Sequence, residues 1–371
     1  MTDFDDIRPY NNDELPAALQ RIAQWQHFPQ ALRFIYANAD IEAIKSKLLA
    51  VKTIHDFQAT LMNDAILRII RSTTSGFTHS GLNHLRRGEA YLFISNHRDI
   101  TLDAFLLQHI LLEHRGDTSH IVFGQNLLSE PVIEDLFRSN KLIRMERGGT
   151  PRTFYNSLLH LSQYLDHLLL DERQSVWIAQ KNGRAKDGID STAPAMLKML
   201  CLGHKGDPLQ ALCDMHLVPV SVSYEWDPCD AMKANELYQS ASGKYLKAKD
   251  EDMKSVVTGI IGDKGKVHLA IGTPLTRREL EPPAGADLYE HAAAALDHHI
   301  QSNYHLMPTN YVAYSLLTGR DQRGRFSEAT RTKFLQRLDA LPNADLRQLM
   351  VEAYANPVIA SRRQPRNGCR N

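Results

Sequence analysis

The sequence predicts an α/β fold in which a mixed, mostly parallel sheet with flanking helices lies between helical N- and C-terminal segments. In the middle of the chain, short apolar runs alternate with amphipathic helical patterns, which is typical of a sheet covered by helices. Residues 11 to about 72 instead show only helical spacing of apolar side chains. Helical patterns return from Pro282 onward.

These changes of pattern divide the 371 residues into three predicted parts. They are an N-terminal helical segment (1–75), an α/β domain (76–275), and a C-terminal helical segment (276–371) that ends in a basic tail. A chain of this length can bury a large core. Lys plus Arg and Asp plus Glu both number 43, so no overall charge attracts nucleic acid and we expect no nucleic-acid partner.

Cysteine usage and the N-terminus indicate a cytoplasmic protein. The four cysteines show no Cys-x-x-Cys spacing, so we expect reduced thiols and no zinc site. Residues 1–6 are acidic and lack the apolar region of a secretory signal. There is also no stretch of about 18 uncharged apolar residues that would span a bilayer.

The N-terminal segment is predicted to contain three amphipathic helices. Asp56 is expected to cap the third, which carries Leu61, Ala65 and Ile69 on one face. Low Lys and Arg density favours packing within the protein over contact with a membrane. The apolar positions of the first two helices are Leu15, Leu19, Ile22 and Trp25, then Ile41, Ile44, Leu48 and Val51.

The predicted domain contains six strands, and helical patterns lie between most of them. The strands are Ala90–Ser95, His120–Phe123, Lys141–Met145, Ser175–Ala179, His216–Tyr224 and Lys266–Ile271. The helices are Ala104–His114, Pro131–Ser139, Arg152–Leu170, Ala193–Leu202 and Ala231–Ile261, and Asp287–Ser302, Glu328–Leu341 and Ala344–Ala355 follow the domain.

A polar loop with one imidazole and two carboxylates follows the first predicted strand. His97 stands near the carboxyl end of that strand, where ligands and catalytic groups gather in open α/β sheets. A histidine oriented by a carboxylate can take a proton from a hydroxyl. Asp103 is the favoured partner of His97, and Asp99 is the alternative.

Two further predicted strands lead into basic, glycine-containing loops. Residues 142–147 are followed by Gly148 and Gly149, and then by Thr150 and Pro151 as predicted N-cap and first helical residue. The free N–H groups of a helix N-terminus suit an anion. The planar guanidinium of Arg147 presents several N–H donors that match the geometry of a phosphate, and Arg144 is the alternative candidate for this role. The second loop is basic at Lys181, Arg184 and Lys186.

These stretches resemble, in order, the motifs of the glycerophospholipid acyltransferase family, which includes lysophosphatidic acid and glycerol-3-phosphate acyltransferases. The likeness covers about residues 76–275. Five residues separate His97 from Asp103 where the family has four, and Asn182 stands where the family has Glu before Gly183. The fourth stretch, residues 217–225, resembles an apolar strand with a Val-Pro pair at Pro219.

The resemblance implies an O-acyltransferase of phospholipid biosynthesis that is peripheral at the inner face of the membrane. An acyl thioester, acyl-CoA or acyl carrier protein, would be donor and co-substrate, and no other cofactor or metal is expected. The acceptor would be a phosphate-bearing lipid such as lysophosphatidate or glycerol-3-phosphate. His97 would be the base and Asp103 its orienting partner.

The same resemblance places substrate contacts in the remaining stretches. The acyl chain would lie in a groove near Val218–Val222. The residues expected to contact substrate are Arg144, Arg147, Asn182, Gly183, Arg184, Lys186 and Pro219.

Two other functions compete with this interpretation. A lipid-binding protein of the same fold could have lost turnover through Asn182 and the longer His–Asp spacing. A metal-dependent hydrolase could use His97 and Asp99 as ligands, although further ligand clusters at helical or short spacing are missing from the sequence.

Overall fold

A seven-stranded sheet forms the centre of the structure, which is a computed structural model that describes residues 4–36, 40–125, 130–146, 148–241, 243, 245–248 and 250–363. The strand order is β1-β7-β6-β2-β5-β3-β4. All neighbours are parallel except β6 and β7, which are antiparallel. The strands are β1 Thr74–Ser80, β2 Leu92–Ser95, β3 His120–Gly124, β4 Leu142–Met145, β5 Val176–Ala179, β6 Leu217–Tyr224 and β7 Gly265–Ile271.

Helices cover both faces of the sheet and form the two ends of the chain. Before and within the sheet they are α1 Leu15–Gln24, α2 Phe28–Arg33, α3 Ile41–Ala50, α4 Ile54–Phe57, α5 Asn63–Thr73, α6 Leu102–Arg115, α7 Pro131–Arg138, α8 Pro151–Asp166, α9 Pro194–Leu200 and α10 Pro208–Asp214. They continue as α11 Asp230–Ala241, α12 Glu251–Ile261, α13 Arg277–Leu280, α14 Leu288–Asn303, α15 Pro308–Thr318, α16 Glu328–Asp339 and α17 Ala344–Arg363.

The core lies on both faces of the sheet because alternate side chains of each strand point to opposite faces. Leu92 and Ile94 of β2 pack into one cluster with α8, α9 and α14. Phe93 of the same strand packs into the other cluster with Leu107 of α6. The central strands β2 and β6 are buried along their whole length, which explains why their sequences read as continuous apolar runs.

The predicted fold class is confirmed, and so are all six predicted strands, with ends that differ by at most two residues. The first strand, β1, was not predicted. It lies at the edge of the sheet, pairs only with β7, and is mostly exposed. Its sequence, Thr-Ser-Gly-Phe-Thr-His-Ser, therefore carries little of the apolar pattern by which strands are predicted.

Helices α2, α10, α13 and α15 were not predicted, and two other details of the helix predictions are wrong. The single helix predicted over Ala231–Ile261 is two helices, α11 and α12. The third N-terminal helix is capped by the Thr53 side chain, which accepts a hydrogen bond from the backbone N–H of Asp56, so Asp56 lies inside the first turn. Among the described residues, no helix is long and apolar enough to cross a membrane. The basic tail beyond Arg363 lies outside the described residues.

Candidate active site

The candidate site lies at the carboxyl ends of β2 and β5, where two loops meet. The loop after β2 carries His97, and the loop after β5 contains Lys181 to Lys186. A hydrogen bond of 2.8 Å from the backbone N–H of Ala185 to the carbonyl oxygen of His97 joins the two loops. Parallel neighbouring strands bring these segments together although they are far apart in sequence.

His97 and Asp103 form a close pair. The Nδ1 atom of His97 lies 3.0 Å from Oδ2 of Asp103, which sits in the first turn of α6. The Asp103 side chain is fully buried, whereas the His97 side chain is 14% exposed. Because Nδ1 faces the carboxylate, Nε2 is the ring nitrogen left to exchange a proton with a substrate.

Three further donors hold the Asp103 carboxylate. Its Oδ2 accepts the backbone N–H groups of Arg98 at 2.6 Å and Asp99 at 2.8 Å. Its Oδ1 accepts the hydroxyl of Tyr224 at 2.9 Å. The loop thus wraps around the carboxylate, which shows how the longer His–Asp spacing still brings the two side chains together.

Asp99, the alternative partner of His97, has a different position. Its Oδ1 accepts the backbone N–H groups of Thr101 at 2.9 Å and Leu102 at 2.8 Å, so it caps the start of α6. Burial, with the nearby charge of Asp103, raises the pKa of Asp99. Asp103 is therefore the residue that the structure pairs with His97.

His97 lines a polar cavity of about 130 Å³ together with three basic side chains of the neighbouring loop, Lys181, Arg184 and Lys186. Arg184 donates to the Ser255 hydroxyl at 3.0 Å through Nη2, while its buried Nη1 has no partner among the described residues. Lys186 forms an ion pair of 2.7 Å with Glu236. Arg184 is thus the cation best placed to receive an anionic group.

The predicted neighbours Asn182 and Gly183 differ in position. Gly183 lines the His97 cavity. Asn182 is exposed and is not among the residues around that cavity. Its contact with substrate stays a prediction.

A second, apolar cavity of about 430 Å³ lies beside the first. Ile100, Phe123 and Asp252 line both cavities, so the two adjoin at these side chains. The apolar walls come mainly from α5, α6, α7 and α12, with Ala65, Ile66, Ile69, Phe105, Leu136, Phe137, Met253, Val256 and Ile260 among them.

The expected groove near Val218–Val222 is corrected by this arrangement. Strand β6 lies in the middle of the sheet and is buried throughout. Pro219 pairs with Ile94 of β2 and accepts the backbone N–H of Gly272. It lines neither of the two cavities, because both of its flanks are occupied by neighbouring strands.

Arg144 lies apart from the His97 cavity, and its contact with substrate stays a prediction. Its guanidinium faces Glu134 at 3.5 Å and Glu146 at 3.7 Å. It lines a separate cavity beside α8 that shares no residue with the His97 cavity. Two carboxylates already oppose its charge, so it is poorly suited to hold a phosphate near His97. Arg147 lies outside the described residues, and its role stays a prediction.

The segment after Arg147 agrees with the prediction. Gly148 and Gly149 have positive φ angles of 94° and 89°, which favour glycine. The Thr150 hydroxyl caps α8 by accepting the backbone N–H of Thr153 at 3.2 Å, and Pro151 is the first helical residue.

Several residues of the site were not found by sequence reasoning. Tyr224 lies near the end of the fourth stretch, but nothing in its local pattern points to Asp103. Lys247 and Asp252 form an ion pair and line the His97 cavity from the segment around the start of α12. Only the tertiary structure reveals these residues as part of the site, because all three lie more than a hundred positions after His97 and Asp103 in the sequence.

The ligand set of a metal-dependent hydrolase is incomplete in the described part of the chain. No group of three or more His, Cys, Asp or Glu side chains there is arranged to hold a metal ion. The Asp99 oxygen expected to share a metal with His97 instead caps α6. This geometry favours proton transfer by His97 over metal ligation.

Two comparisons with known proteins find a match. Residues 76–223 match a family model described as Acyltransferase. Among solved structures, the chain is similar to the 1-acyl-sn-glycerophosphate (LPA) acyltransferase PlsC from Thermotoga maritima, with 14% identity and a TM-score of 0.38 over 78% of this chain and 95% of that chain. A comparison with curated proteins finds no match.

Proposed function

We propose that the protein transfers a fatty acyl group from a thioester to the hydroxyl of a phosphate-bearing acceptor, a proposal supported by the match of residues 76–223 to the family model described as Acyltransferase. The observation that carries this proposal is the His97–Asp103 pair at the edge of a cationic cavity that adjoins an apolar one. The reaction needs a base, an anion site and space for a hydrocarbon chain side by side.

In the proposed reaction, Nε2 of His97 removes the proton of the acceptor hydroxyl as its oxygen attacks the thioester carbonyl carbon. The new C–O bond forms, the C–S bond of the tetrahedral intermediate breaks, and the thiolate takes the proton from the imidazolium. Asp103 orients the ring and stabilises its positive charge. General base catalysis of this kind contributes about 10²–10⁴-fold in rate.

Charge and polarity support a position for the acceptor phosphate in one cavity and for the acyl chain in the other. The His97 cavity is lined by four cations, Lys181, Arg184, Lys186 and Lys247, against two carboxylates, Glu236 and Asp252. This excess of positive charge suits an acceptor phosphate. The apolar cavity suits the acyl chain, and its volume of about 430 Å³ falls within the roughly 300–1,000 Å³ typical of ligand sites.

Action at the cytoplasmic face of a membrane is part of the proposal. The ester product is a lipid, and so is lysophosphatidate as an acceptor, so we expect the protein to exchange these molecules with a bilayer surface. We propose that the protein attaches to the membrane peripherally and that it acts in phospholipid biosynthesis.

The test measures free thiol and lipid product together. Purified protein is given acyl-CoA or acyl carrier protein loaded with the same acyl group, with lysophosphatidate or glycerol-3-phosphate in separate arms. We expect acceptor-dependent thiol release with one mole of ester formed per mole of thiol. Binding of both substrates without thiol release would instead identify a lipid-binding protein that has lost turnover.

A further inference from the structure

Tyr224 occupies a position next to the His97–Asp103 pair that no sequence motif indicates. It is the last residue of β6, and its hydroxyl donates to Oδ1 of Asp103 at 2.9 Å. The side chain is buried, with 5% of its surface exposed. The phenol therefore reaches Asp103 from the sheet, whereas His97 approaches the other carboxylate oxygen.

We infer that Tyr224 is a positioning residue that fixes the Asp103 carboxylate and thereby sets the basicity of His97. The inference deepens the proposed function and rests on it. With the other three donors on Oδ2, Tyr224 supplies the one hydrogen bond that the structure gives to Oδ1 within the described residues. Without the Tyr224 hydroxyl, Oδ1 of Asp103 loses this hydrogen bond, and the orientation of the carboxylate is less fixed.

The direction of the effect follows from charge sharing. The Tyr224 hydroxyl takes up part of the negative charge of Asp103, which weakens the attraction between that carboxylate and an imidazolium at position 97. Burial, together with the charges of Asp103 and Asp99, raises the pKa of Tyr224 well above its ordinary value. The phenol thus keeps its proton and remains a donor throughout the working pH range.

Other charged groups also face this pair and must stay unchanged in a test. Arg98 and Asp99 lie on its own loop, Lys181, Arg184 and Lys186 on the loop after β5, Glu236 on α11, and Lys247 and Asp252 around the start of α12. Asp227, Asp230 and Lys233 lie with Tyr224 around a small neighbouring cavity. Because none of them is altered, a change of the Tyr224 hydroxyl alone isolates its effect.

The first experiment compares Tyr224→Phe with the wild type. We expect kcat to fall about tenfold, the loss typical of one hydrogen bond to a charged group, with KM values within about twofold. We also expect the acid limb of the kcat/KM profile to move to higher pH, by about half a unit, because the unshared Asp103 charge stabilises the His97 imidazolium more strongly. Unchanged kcat and an unchanged acid limb would overturn the inference.

Tyr354→Phe is the matched control. Tyr354 is a buried tyrosine that donates to the carboxylate of Asp230 at 2.9 Å, and the hydrogen bonds that the structure gives its hydroxyl, to Asp230 and from the backbone N–H of Asp227, do not include His97 or Asp103. Its removal should lower stability without moving the acid limb. An equal shift of the acid limb in both variants would attribute the effect to general loosening of the fold, against the inference.

Two further measurements keep the inference testable if Tyr224→Phe folds poorly or if the wild-type protein has no activity. A fluorinated tyrosine at position 224 keeps the ring and strengthens the donor, so the acid limb should move to lower pH. NMR titration of the His97 imidazole, identified by its loss in His97→Gln, should show the same shifts without any turnover. If the wild-type protein is inactive but the His97 titration differs between the wild type and the Tyr224 variants, only the proposed function is refuted. If turnover is normal but the His97 titration is the same in all of them, only the role of Tyr224 is refuted.

Discussion

The two aspartates at the β2–α6 connection have different roles, which follow from what their side chains contact. Asp103 accepts four hydrogen bonds and faces His97, whereas Asp99 caps α6. Residue chemistry and the family resemblance were enough to predict the pair His97 and Asp103. They could not predict Tyr224, which is 121 positions from Asp103 in sequence.

Arg184 provides a prediction at the residue scale. Its side chain lines the His97 cavity, and its buried Nη1 atom has no hydrogen-bond partner among the described residues, so we expect its charge to attract an acceptor phosphate. Arg184→Met should raise KM for a phosphate-bearing acceptor about ten- to a hundredfold, the value of one charge-assisted hydrogen bond, with a smaller change in kcat. Steady-state kinetics with varied acceptor measures this.

Arg144→Met is the control for Arg184→Met. Arg144 faces Glu134 and Glu146 at a separate cavity, so its loss should leave KM for the acceptor unchanged. If Arg144→Met raised KM and Arg184→Met did not, the assignment of the phosphate to the His97 cavity would be wrong.

At the scale of elements, the strands of the sheet were predictable and their surroundings were not. Six strands have apolar cores that stand out in the sequence, whereas the edge strand β1 is polar and exposed. The apolar cavity arises where α5 and α12 come together, although β1 and most of the domain separate them in sequence. A cavity between two helices so far apart in sequence cannot be predicted from a local pattern. The sequence instead favoured a groove near Val218–Val222.

Ala65 of α5 allows the position of the acyl chain to be tested. It lines the apolar cavity, and Ala65→Phe would fill part of that space. We expect the variant to use short-chain acyl-CoA at nearly the wild-type rate and to lose activity progressively with longer chains. The short-chain donor is the internal control for folding, and an unchanged chain-length profile would remove the acyl chain from this cavity.

At the scale of the whole molecule, helix α11 connects the C-terminal helices to the loop that carries His97. The connection consists of polar contacts on both sides of α11. Lys233 donates to the carbonyl oxygen of Arg98 at 2.6 Å and pairs with Asp227. Arg337 of α16 and Tyr354 of α17 both donate to Asp230. The predicted division at residues 75 and 275 stays a prediction. No sequence pattern indicates the contacts of Arg337 and Tyr354 with Asp230, which cross the second of these boundaries.

His120 predicts how the stability of the whole molecule depends on pH. Burial lowers the pKa of His120 to about 3, whereas an unfolded chain has a histidine pKa near 6.5. The unfolded state therefore binds the proton first, so this contribution to stability is present above pH ~6.5 and is lost as the pH falls toward 3. Between pH ~6.5 and ~5 the loss amounts to about 2 kcal/mol.

Denaturant unfolding at several pH values measures this loss. His120→Leu should flatten the dependence on pH in that range, whereas His27→Leu, at an exposed position, should not. Equal slopes for the wild type and His120→Leu would contradict a neutral, buried His120.

The most direct test of the account compares His97→Ala with His167→Ala in the acceptor-dependent thiol-release assay. His167 also forms a histidine–aspartate pair, with Asp171 at 3.0 Å, but its side chain is 40% exposed and it lines neither the His97 cavity nor the apolar one. We expect His97→Ala to lower kcat at least about a hundredfold with a modest change in KM, and His167→Ala to retain wild-type turnover. Near-normal turnover of His97→Ala would contradict the account.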